Sequence, residues 1–551
     1  MTVNDFQHGD RVDEGWRRLS ARMLLVYPVK ELTRYIPALA GLVVAGRSVG
    51  DGEMWWWGPL GVVIVIALSV LRWATTRYRI TPEQVQLRTG LFQRKTVAAP
   101  ADRVRSVDVT ASPLHRLLGL AKVDIGTGSQ RSASGSGSGL TLDSLPTAEA
   151  AALRAELLHR ALPSSLDERA GSSPSEPGGL PSEGVPFEVV PVGDVPAAPD
   201  PDIELVRLDP RWVRFAPFTM SGVLAAAAIL GLGWNLLDQM NVTPNDVGPV
   251  RGFVDHMEQT AIWLGILQVM AALAGTVTAL SIGGYVLSYW GFRLTRHAQG
   301  SLHITRGLLT TRATSIEERR LLGVELGEPL LLRAVHAARL SGITTGLESK
   351  GRADGGSSLL LPPAPITVAR ALATQILRDP APVEASLTAH GPAARRRRFL
   401  RALQPVFVLM VVVGVAIWSG DSPWLGLGVA LTIPFAVLLA ADRYRSLGHA
   451  LSGGTLVTQQ GSLGRRRDVL ACDGIIGWNF RQTYFQRRAG LATLTATTAA
   501  GRQRYDVTDL PLSMAVALGN RALPGLLGDF LKPEVPGVPE APWAASPITL
   551  R

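Results

Sequence analysis

The chain alternates long apolar runs with shorter stretches in which apolar residues occupy every second position. Residues 54–71 form an apolar run long enough to cross a hydrocarbon core of about 30 Å as a helix. The run leads through residues 77–81 into alternating segments at 85–89, 104–109 and 123–125, a pattern typical of strands. The pattern therefore predicts a membrane helix that feeds directly into a small β domain.

The apolar runs occur in pairs, and each pair is joined by a polar connection. Three such pairs predict three helical transmembrane hairpins, about six transmembrane helices in all. The paired runs are residues 35–47 with 54–71, 215–236 with 262–289, and 402–418 with 424–441.

The β segment after each pair recurs three times with the same landmarks, which indicates an internal repeat. Glycine turns stand at Gly90, Gly307 and Gly461, and a second glycine followed by leucine stands at equal spacing in copies one and three. No counterpart of that second glycine is recognisable in copy two. Each copy closes with a Leu-Pro step before a helix-forming segment, at 145–146, 361–362 and 510–511. We expect each closing helix to cap a small barrel.

These patterns predict ten segments along the chain. They are an N-terminal segment 1–34, hairpin one 35–73, domain one 74–162, a disordered acidic Pro/Gly/Ser linker 163–206, hairpin two 207–290, domain two 291–380, a basic linker 381–398, hairpin three 399–441, domain three 442–524 and a Pro-rich tail 525–551.

Composition and charge fit a chain shared between membrane and water. Of 551 residues, 46% are hydrophobic and the net charge is +10, while the mean hydropathy is +0.18. The arginines cluster beside the apolar runs, at the ends that lead into the β domains. The positive-inside rule assigns such arginine-rich segments to the cytoplasm. We therefore expect a multi-pass inner-membrane protein with a cytoplasmic N-terminus and cytoplasmic domains, and no nucleic-acid partner. The single Cys472 excludes an internal disulfide framework.

Residues that could carry chemistry are scattered. Histidine, cysteine and carboxylate residues show no metal-ligand spacing, and no phosphate-binding lysine follows a glycine loop. The Gly/Ser-rich stretch 126–139 is typical of a flexible hairpin loop. The sequence therefore predicts no enzyme, no catalytic residue, no cofactor and no metal site. Transport stays open as an alternative, although the apolar runs carry almost no charge of the kind that marks an ion pathway.

Basic residues beside the apolar runs are candidates for contacts with anionic lipid headgroups. The candidate residues are Arg77, Arg79, Arg94, Lys95, Arg395, Arg396, Arg397 and Arg398. The same residues could instead serve only to hold the topology or to form a solvated face.

The first copy resembles a known family from end to end. Its segments 78–81, 87–92, 98–104 and 112–125 are similar to the bacterial pleckstrin-homology-like membrane proteins of the YdbS/YdbT kind, and copies two and three match mainly by position. The resemblance implies a PH-like β-barrel closed by a C-terminal helix, paired membrane helices and no established catalytic residues.

Together these expectations describe an α+β membrane protein with three hairpins, each followed by a cytoplasmic PH-like barrel capped by a helix. We expect a non-enzymatic binding or scaffolding protein that binds membrane lipid or assembles as a homo-oligomer or with a related PH-like membrane protein. Envelope homeostasis or resistance to membrane-active compounds would suit such a scaffold. The alternative is a transporter or export-complex subunit. Within the first barrel, we expect Val107 to face the core and Asp108 to lie on a tolerant outer face.

Overall fold

Three units with the same order of strands and helices follow one another along the chain. The computed structural model describes residues 16–24, 26, 76–81, 84–90, 95–100, 104, 106–126, 140–160, 203–219, 262–297, 300–345, 358–419 and 424–528, with single positions of 63–75 and 224–235. Most of the first predicted hairpin and most of the acidic linker lie outside the described residues.

The first unit contains six strands, a short helix and a closing helix. They are β2 Arg77–Ile80, β3 Gln84–Thr89, β4 Lys95–Pro100, β5 Ser106–Ala111, α1 Pro113–Leu117, β6 Leu120–Gly126, β7 Leu140–Pro146 and α2 Thr147–Arg160, and strand β1, Arg17–Arg18, pairs with β2.

The second unit repeats this order. An added strand β8, Ile203–Arg207, and a 3₁₀ helix, Pro210–Phe218, precede the apolar helix α3, Ile262–Tyr289. The unit itself comprises β9 Arg293–His297, β10 Ser301–Arg306, β11 Thr311–Glu317, a 3₁₀ turn Glu318–Arg320, β12 Leu321–Pro329, α4 Leu330–Ala334, β13 Ala337–Thr344, β14 Leu359–Pro365 and α5 Ile366–Leu377.

The third unit follows two apolar helices. After α6, Ala381–Glu384, come α7 Gly391–Trp418 and α8 Trp424–Arg445. The unit contains β15 Gly448–Ser452, β16 Thr455–Gln460, β17 Gly464–Ala471, a 3₁₀ turn Cys472–Gly474, β18 Gly477–Arg481, α9 Tyr484–Arg488, β19 Leu491–Thr497, β20 Arg504–Pro511 and α10 Leu512–Ala522.

The turn glycines allow the second and third strands of each unit to approach closely. Gly90, Gly307 and Gly461 all have positive φ, between 99° and 109°. A Cβ on Gly307 would lie 2.1 Å from the carbonyl oxygen of Thr310, a distance that no side chain tolerates. Glycine is therefore required at this turn.

The residue after each short helix is also left-handed, and it identifies the landmark missing from copy two. Gly119, His336 and Gly490 have φ of 67°, 54° and 63°. His336 thus occupies the glycine position. The carbonyl groups of these three residues accept hydrogen bonds of 3.0–3.1 Å from the first residue of the closing helix: Thr147, Ile366 and Leu512.

This shared hydrogen bond corrects the alignment of copy two. The residue before the closing helix is Pro146 in unit one, Pro365 in unit two and Pro511 in unit three. In copy two, the proline equivalent to Pro146 and Pro511 is therefore Pro365. The Leu-Pro pair at 361–362 misled the sequence alignment because it lies three residues earlier in the same strand.

Neighbouring units share sheets, which the sequence did not predict. Strand β5 of the first unit pairs antiparallel with β11 of the second, and β12 of the second pairs with β17 of the third. The two continuous sheets have the strand orders β7-β6-β5-β11-β10-β9-β8 and β14-β13-β12-β17-β16-β15. Each unit encloses one hydrophobic core, and a shared sheet separates adjacent cores. Residues on the second shared sheet cross over: Val457 and Val469 of the third unit line the core of the second, and Ile343 of the second unit lines the core of the third.

The first shared sheet confirms the predicted position of Val107 and corrects that of Asp108. Val107 is fully buried in the core of the first unit, as expected. Asp108 does not lie on a tolerant outer face, because Thr314 of the second unit donates a 3.0 Å hydrogen bond to its carboxylate. Burial at this junction raises the pKa of Asp108.

Three described helices are long and apolar enough to cross a membrane: Trp263–Tyr289, Gly391–Trp418 and Trp424–Arg445. The predicted run 262–289 and the ends at Trp418 and Trp424 agree with the structure. The predicted start of hairpin two does not, because Phe215 is buried in the 3₁₀ helix beside Trp212.

Two predicted linkers also contain regular structure. Ile203–Arg207, whose first four residues end the acidic linker, forms β8 against β9, since its sequence lacks proline and carries alternating apolar residues. Residues 391–398 of the basic linker form the first turns of α7, because Pro392 suits a helix start and the Ala and Arg residues after it are good helix formers.

Candidate anion-binding site

A polar cavity of about 660 Å³ lies in the third unit, beside the first turns of α7. Its lining consists of charged and uncharged polar side chains. The lining residues are Arg397, Arg398, Arg401, Arg481, Arg502, Arg504, Asp506, Asp509, Gln460, Asn479, Gln486, Gln503, Thr483, Thr493, Thr495, Thr497 and Thr508. Six arginines against two aspartates give the cavity a positive charge.

Strand alternation places one wall of the cavity. On β19, Thr493, Thr495 and Thr497 point to the cavity while Leu494 and Ala496 between them enter the core. Strands β18 and β20 alternate in the same way. A sheet with one apolar face and one polar face is therefore the physical basis of this wall.

Helix α7 supplies the second wall and is fixed to the unit by buried charge. The Asp509 side chain is only 1% exposed and lies in ion pairs with Arg397 and with Arg398, the latter at 2.9 Å. Gln486 donates a further 2.9 Å hydrogen bond to the Asp509 carboxylate. Breaking such a pair by removing one partner is costly, because it leaves a buried charge uncompensated. This cluster therefore holds α7 against the sheet.

Three other cavity arginines remain available for a ligand. The side chains of Arg401, Arg481 and Arg504 are exposed and make no hydrogen bond or ion pair to any described residue. Guanidinium groups bind phosphate and carboxylate through paired N–H donors. The Thr493 and Thr508 hydroxyls accept hydrogen bonds from protein groups and keep their own O–H as an uncharged donor, whereas two other lining threonines already donate to protein side chains. The arrangement suits an anion with several oxygens.

The sixth arginine belongs to the junction with the second unit. Arg502 donates to the Asp468 carboxylate at 2.7 Å and lies 3.2 Å from Glu325. Burial and the neighbouring Glu325 raise the pKa of Asp468 to about 7, against the opposing effect of Arg502. Arg502 therefore links two units. Its contribution to the positive charge of the cavity is reduced, because Asp468 and Glu325 offset it.

A buried histidine pair lies behind the cavity wall. His390 Nδ1 is 2.9 Å from the carbonyl oxygen of Thr508, and its Nε2 is 3.0 Å from Nδ1 of His449. The carbonyl can only accept, so His390 donates from Nδ1 and its Nε2 accepts from His449. Burial, with His449 as a further cause, lowers the pKa of His390 to about 4.

The basic residues predicted from the sequence lie in different places. Arg77 and Arg79 are partly exposed on β2, Lys95 begins β4, and Arg94 lies outside the described residues. Arg395 and Arg396 are exposed on α7. Arg397 and Arg398 turn into the third unit, where they pair with Asp509. The structure thus brings together only the last two of the predicted set.

The sequence did not identify Arg401, Arg481 and Arg504 as one group, because they come from a helix and two strands. A partial signal existed. The alternating threonines of 493–497 mark a strand whose outward face is polar but uncharged, and Arg504 and Arg481 occupy the same outward register on its neighbours.

Comparison with known proteins agrees with the repeat. A family model described as bacterial PH domain matches residues 25–161 and 400–522. The chain is 21% identical over 460 residues to the UPF0699 transmembrane protein YdbT of Bacillus subtilis (strain 168). The aligned region covers 82% of this chain and 85% of that protein. No solved structure matches the chain. The family model does not extend over the second unit, whose strand order the structure shows to be the same.

Proposed function

We propose that this membrane protein, which is similar to the bacterial PH-domain proteins of the YdbS/YdbT kind, is a non-enzymatic membrane scaffold whose third domain binds an anionic lipid headgroup. The observation that carries the proposal is the position of the arginine-lined cavity. Arg397, Arg398 and Arg401 occupy the turn of α7 immediately before its apolar stretch, so the cavity opens close to the level at which that helix enters the lipid.

The cavity chemistry favours phosphate over other headgroup features. The unpaired Arg401, Arg481 and Arg504 provide charge, and threonine hydroxyls provide directional donors. An apolar ligand would leave these groups without partners, which is unfavourable in a partly enclosed site. The exposed Arg395 and Arg396, with Arg77 and Arg79 on the first unit, would add less specific attraction to an anionic surface.

We propose that the domains lie in the cytoplasm and that the bound lipid belongs to the inner leaflet. The proposal rests on the arginine excess at the domain ends of the helices. A transporter has less support, since the described apolar stretches 262–289, 402–418 and 424–441 contain no charged residue that would mark an ion path. The wider role that we propose is envelope homeostasis.

Direct binding to the full-length protein in neutral detergent tests the headgroup site. We expect short-chain phosphatidylglycerol to bind more tightly than short-chain phosphatidylcholine. Replacing Arg401, Arg481 and Arg504 together by alanine should weaken binding on the order of 100-fold, at about 1 kcal/mol for each arginine. Raising the salt concentration should weaken binding of the unmodified protein, because salt screens the attraction.

Two comparisons make the result specific. The triple variant Arg211→Ala, Arg370→Ala and Arg521→Ala removes the same charge from exposed positions that do not line the cavity, and it should bind as the unmodified protein does. Inorganic phosphate distinguishes a free anion from a lipid: equal affinity for both would assign the cavity to the free anion. Equal losses in the two triple variants would remove the site.

A further inference from the structure

The row of three units ends in two open strand edges that complement each other. Within the described residues, β4 pairs only with β3, and β18 pairs only with β19. Their counterparts inside the chain are paired across units, β5 with β11 and β12 with β17. We propose that two copies of this chain associate head to tail, with β18 of one copy pairing antiparallel to β4 of the next.

The two internal junctions have the same register, which fixes the register of the proposed one. Counted from the turn glycine of each unit, the pair Val109–Ala313 of the first junction corresponds to Leu326–Arg467 of the second. The same positions at the open ends are Phe480 and Thr96. Three further pairs follow from that alignment: Asn479 with Val97, Trp478 with Ala98, and Gly477 with Ala99.

Burial at equivalent positions shows what the open edge lacks. Ser315 of the second unit is 0% exposed and Val469 of the third is 3% exposed, because the preceding unit covers each of them. The equivalent residue of the first unit is Ala98, which is exposed. In the proposed pair Ala98 would face Trp478, whose side chain is now only partly buried at the edge of the third core.

A recurring arginine in the short helices makes the same point. Arg116 of α1 donates a 2.9 Å hydrogen bond to the carbonyl oxygen of Leu308 in the second unit. Arg333 of α4 donates at 2.9 Å to Asp442, just before the third unit. The equivalent residue in α9 is Arg487, whose side chain is exposed and makes no hydrogen bond or ion pair to a described residue. It lacks the following unit that its counterparts contact.

The short helix of the third unit also exposes two aromatic side chains. Tyr484 is 62% and Phe485 is 73% exposed, with ring centroids 5.5 Å apart. The equivalent helix of the second unit abuts the third, where the amide of Leu330 donates a 2.9 Å hydrogen bond to the carbonyl oxygen of Leu463. Exposed apolar groups at an open strand edge are typical of an association surface.

Such an association is heterologous, since each copy contributes a different edge. Repetition closes into a ring if the rotation between units permits, and otherwise extends as a row in the membrane. The last pair of the ladder would bring Arg481 opposite Lys95, and this like-charge pair should shorten the ladder relative to the internal ones. Because Asn479 and Arg481 also line the cavity, β4 of the neighbour would border its open side.

The mass of the full-length protein in neutral detergent, measured over a range of concentrations, tests the association. We expect dimers or larger assemblies. Ala98→Lys places a charge where Trp478 of the neighbour would lie, so it should raise the dissociation constant about tenfold or more. Ala98 does not line the cavity, so headgroup binding reports separately. Ala371→Lys on the exposed side of α5 is the matched control and should assemble normally.

Disulfide mapping then identifies the edge. In a Cys472→Ala background, protein carrying Val97→Cys is mixed with protein carrying Asn479→Cys, so any mixed disulfide joins two copies. We expect this pair to form a disulfide faster than Thr96→Cys with Asn479→Cys, which is out of register by one residue. A monomer at all concentrations would overturn the proposal. So would equal rates for the two pairs, or assembly only with a different protein.

Discussion

At the residue scale, one side-chain type serves two purposes in the third unit. Arg397 and Arg398 both pair with the buried Asp509, whose single negative charge offsets one of their two positive charges. Arg401 and Arg504 carry the same charge without a partner among the described residues and face the cavity. The local sequence does not separate these purposes, since all four belong to basic or polar stretches. The folded neighbours of each arginine decide whether it stabilises the structure or attracts a ligand.

The first prediction at this scale concerns the core of the first unit. Val107→Asp places a carboxylate at a fully buried position without a cationic partner in that core, and should lower the free energy of unfolding by about 3 kcal/mol or more. Leu117→Asp introduces the same group at a side chain that is 83% exposed and should have little effect. Thermal unfolding of the full-length protein in detergent measures both; similar midpoints would refute the strand orientation.

Asp108 gives the second prediction at this scale. Asp108→Ala leaves the Thr314 hydroxyl without its acceptor at the junction of the first two units, so it should destabilise that junction by about 1 kcal/mol. Thr314→Val in the same background should then cost little more, since the two side chains share one hydrogen bond. A double-mutant cycle in which the two losses add fully would show that this contact contributes nothing.

At the element scale, the histidine pair couples the start of α7 to strand β15. His390 lies just before the helix and His449 is the second residue of the strand. Because His390 donates to a carbonyl and accepts from His449, protonation of its Nε2 would place two donors face to face. The pair is therefore built for the neutral form, and acid should loosen the attachment of this helix.

The resulting pH dependence has a definite sign. An unfolded histidine takes up a proton near pH 6.5, whereas the pKa of the folded His390 is lowered to about 4. Between these values the unfolded state binds more protons, so stability should fall as the pH is lowered from about 6.5 to 4. His390→Gln should reduce the slope of unfolding midpoint against pH, with His336→Gln at an exposed position as control. An unchanged slope would exclude the pair as its origin.

The sequence predicted some elements well and others poorly, for physical reasons. Helix α3 and the facing ends at Trp418 and Trp424 were correct because a long apolar run with polar flanks has few other stable conformations in a membrane protein. Strand β8 was missed because its partner is β9, on the far side of an entire apolar run. The sheet junctions were missed for the same reason: an edge pairing between repeats leaves no local pattern. The cavity could be anticipated only as separate arginines and a strand of alternating threonines.

At the scale of the whole molecule, the shared sheets determine how the units lie relative to the membrane. Strand pairs β5–β11 and β12–β17 join all three units. A hydrogen-bonded sheet of this kind cannot continue through a bilayer as an open structure. The three units must therefore lie on the same side, whichever side that is.

Cysteine accessibility in intact cells tests the side. In a Cys472→Ala background, we expect Asp421→Cys in the connection between α7 and α8 to react with an impermeant reagent from outside. Ser173→Cys in the acidic linker and Leu117→Cys at an exposed position of the first unit should react only after the membrane is opened. The reverse pattern would place the domains outside the cell, and labelling of Leu117 and Ser173 on opposite sides would contradict the shared sheets.

Because of the shared sheets, the sequence repeat and the continuous sheet have different boundaries. A repeat begins and ends between units, whereas each shared sheet begins in the middle of one unit and ends in the middle of the next. Each of the two shared sheets joins the last three strands of one unit to the first three of the next. The chain leaves the first shared sheet at Glu318–Arg320 and the second at Cys472–Gly474. A fragment cut at the boundaries of a repeat would bare two fresh strand edges, which promote aggregation. Cuts at the two 3₁₀ turns would keep each sheet whole. Adding or removing an entire internal repeat would leave the two terminal strand edges, β4 and β18, unchanged. This architecture can therefore vary in the number of units without any change at its two ends.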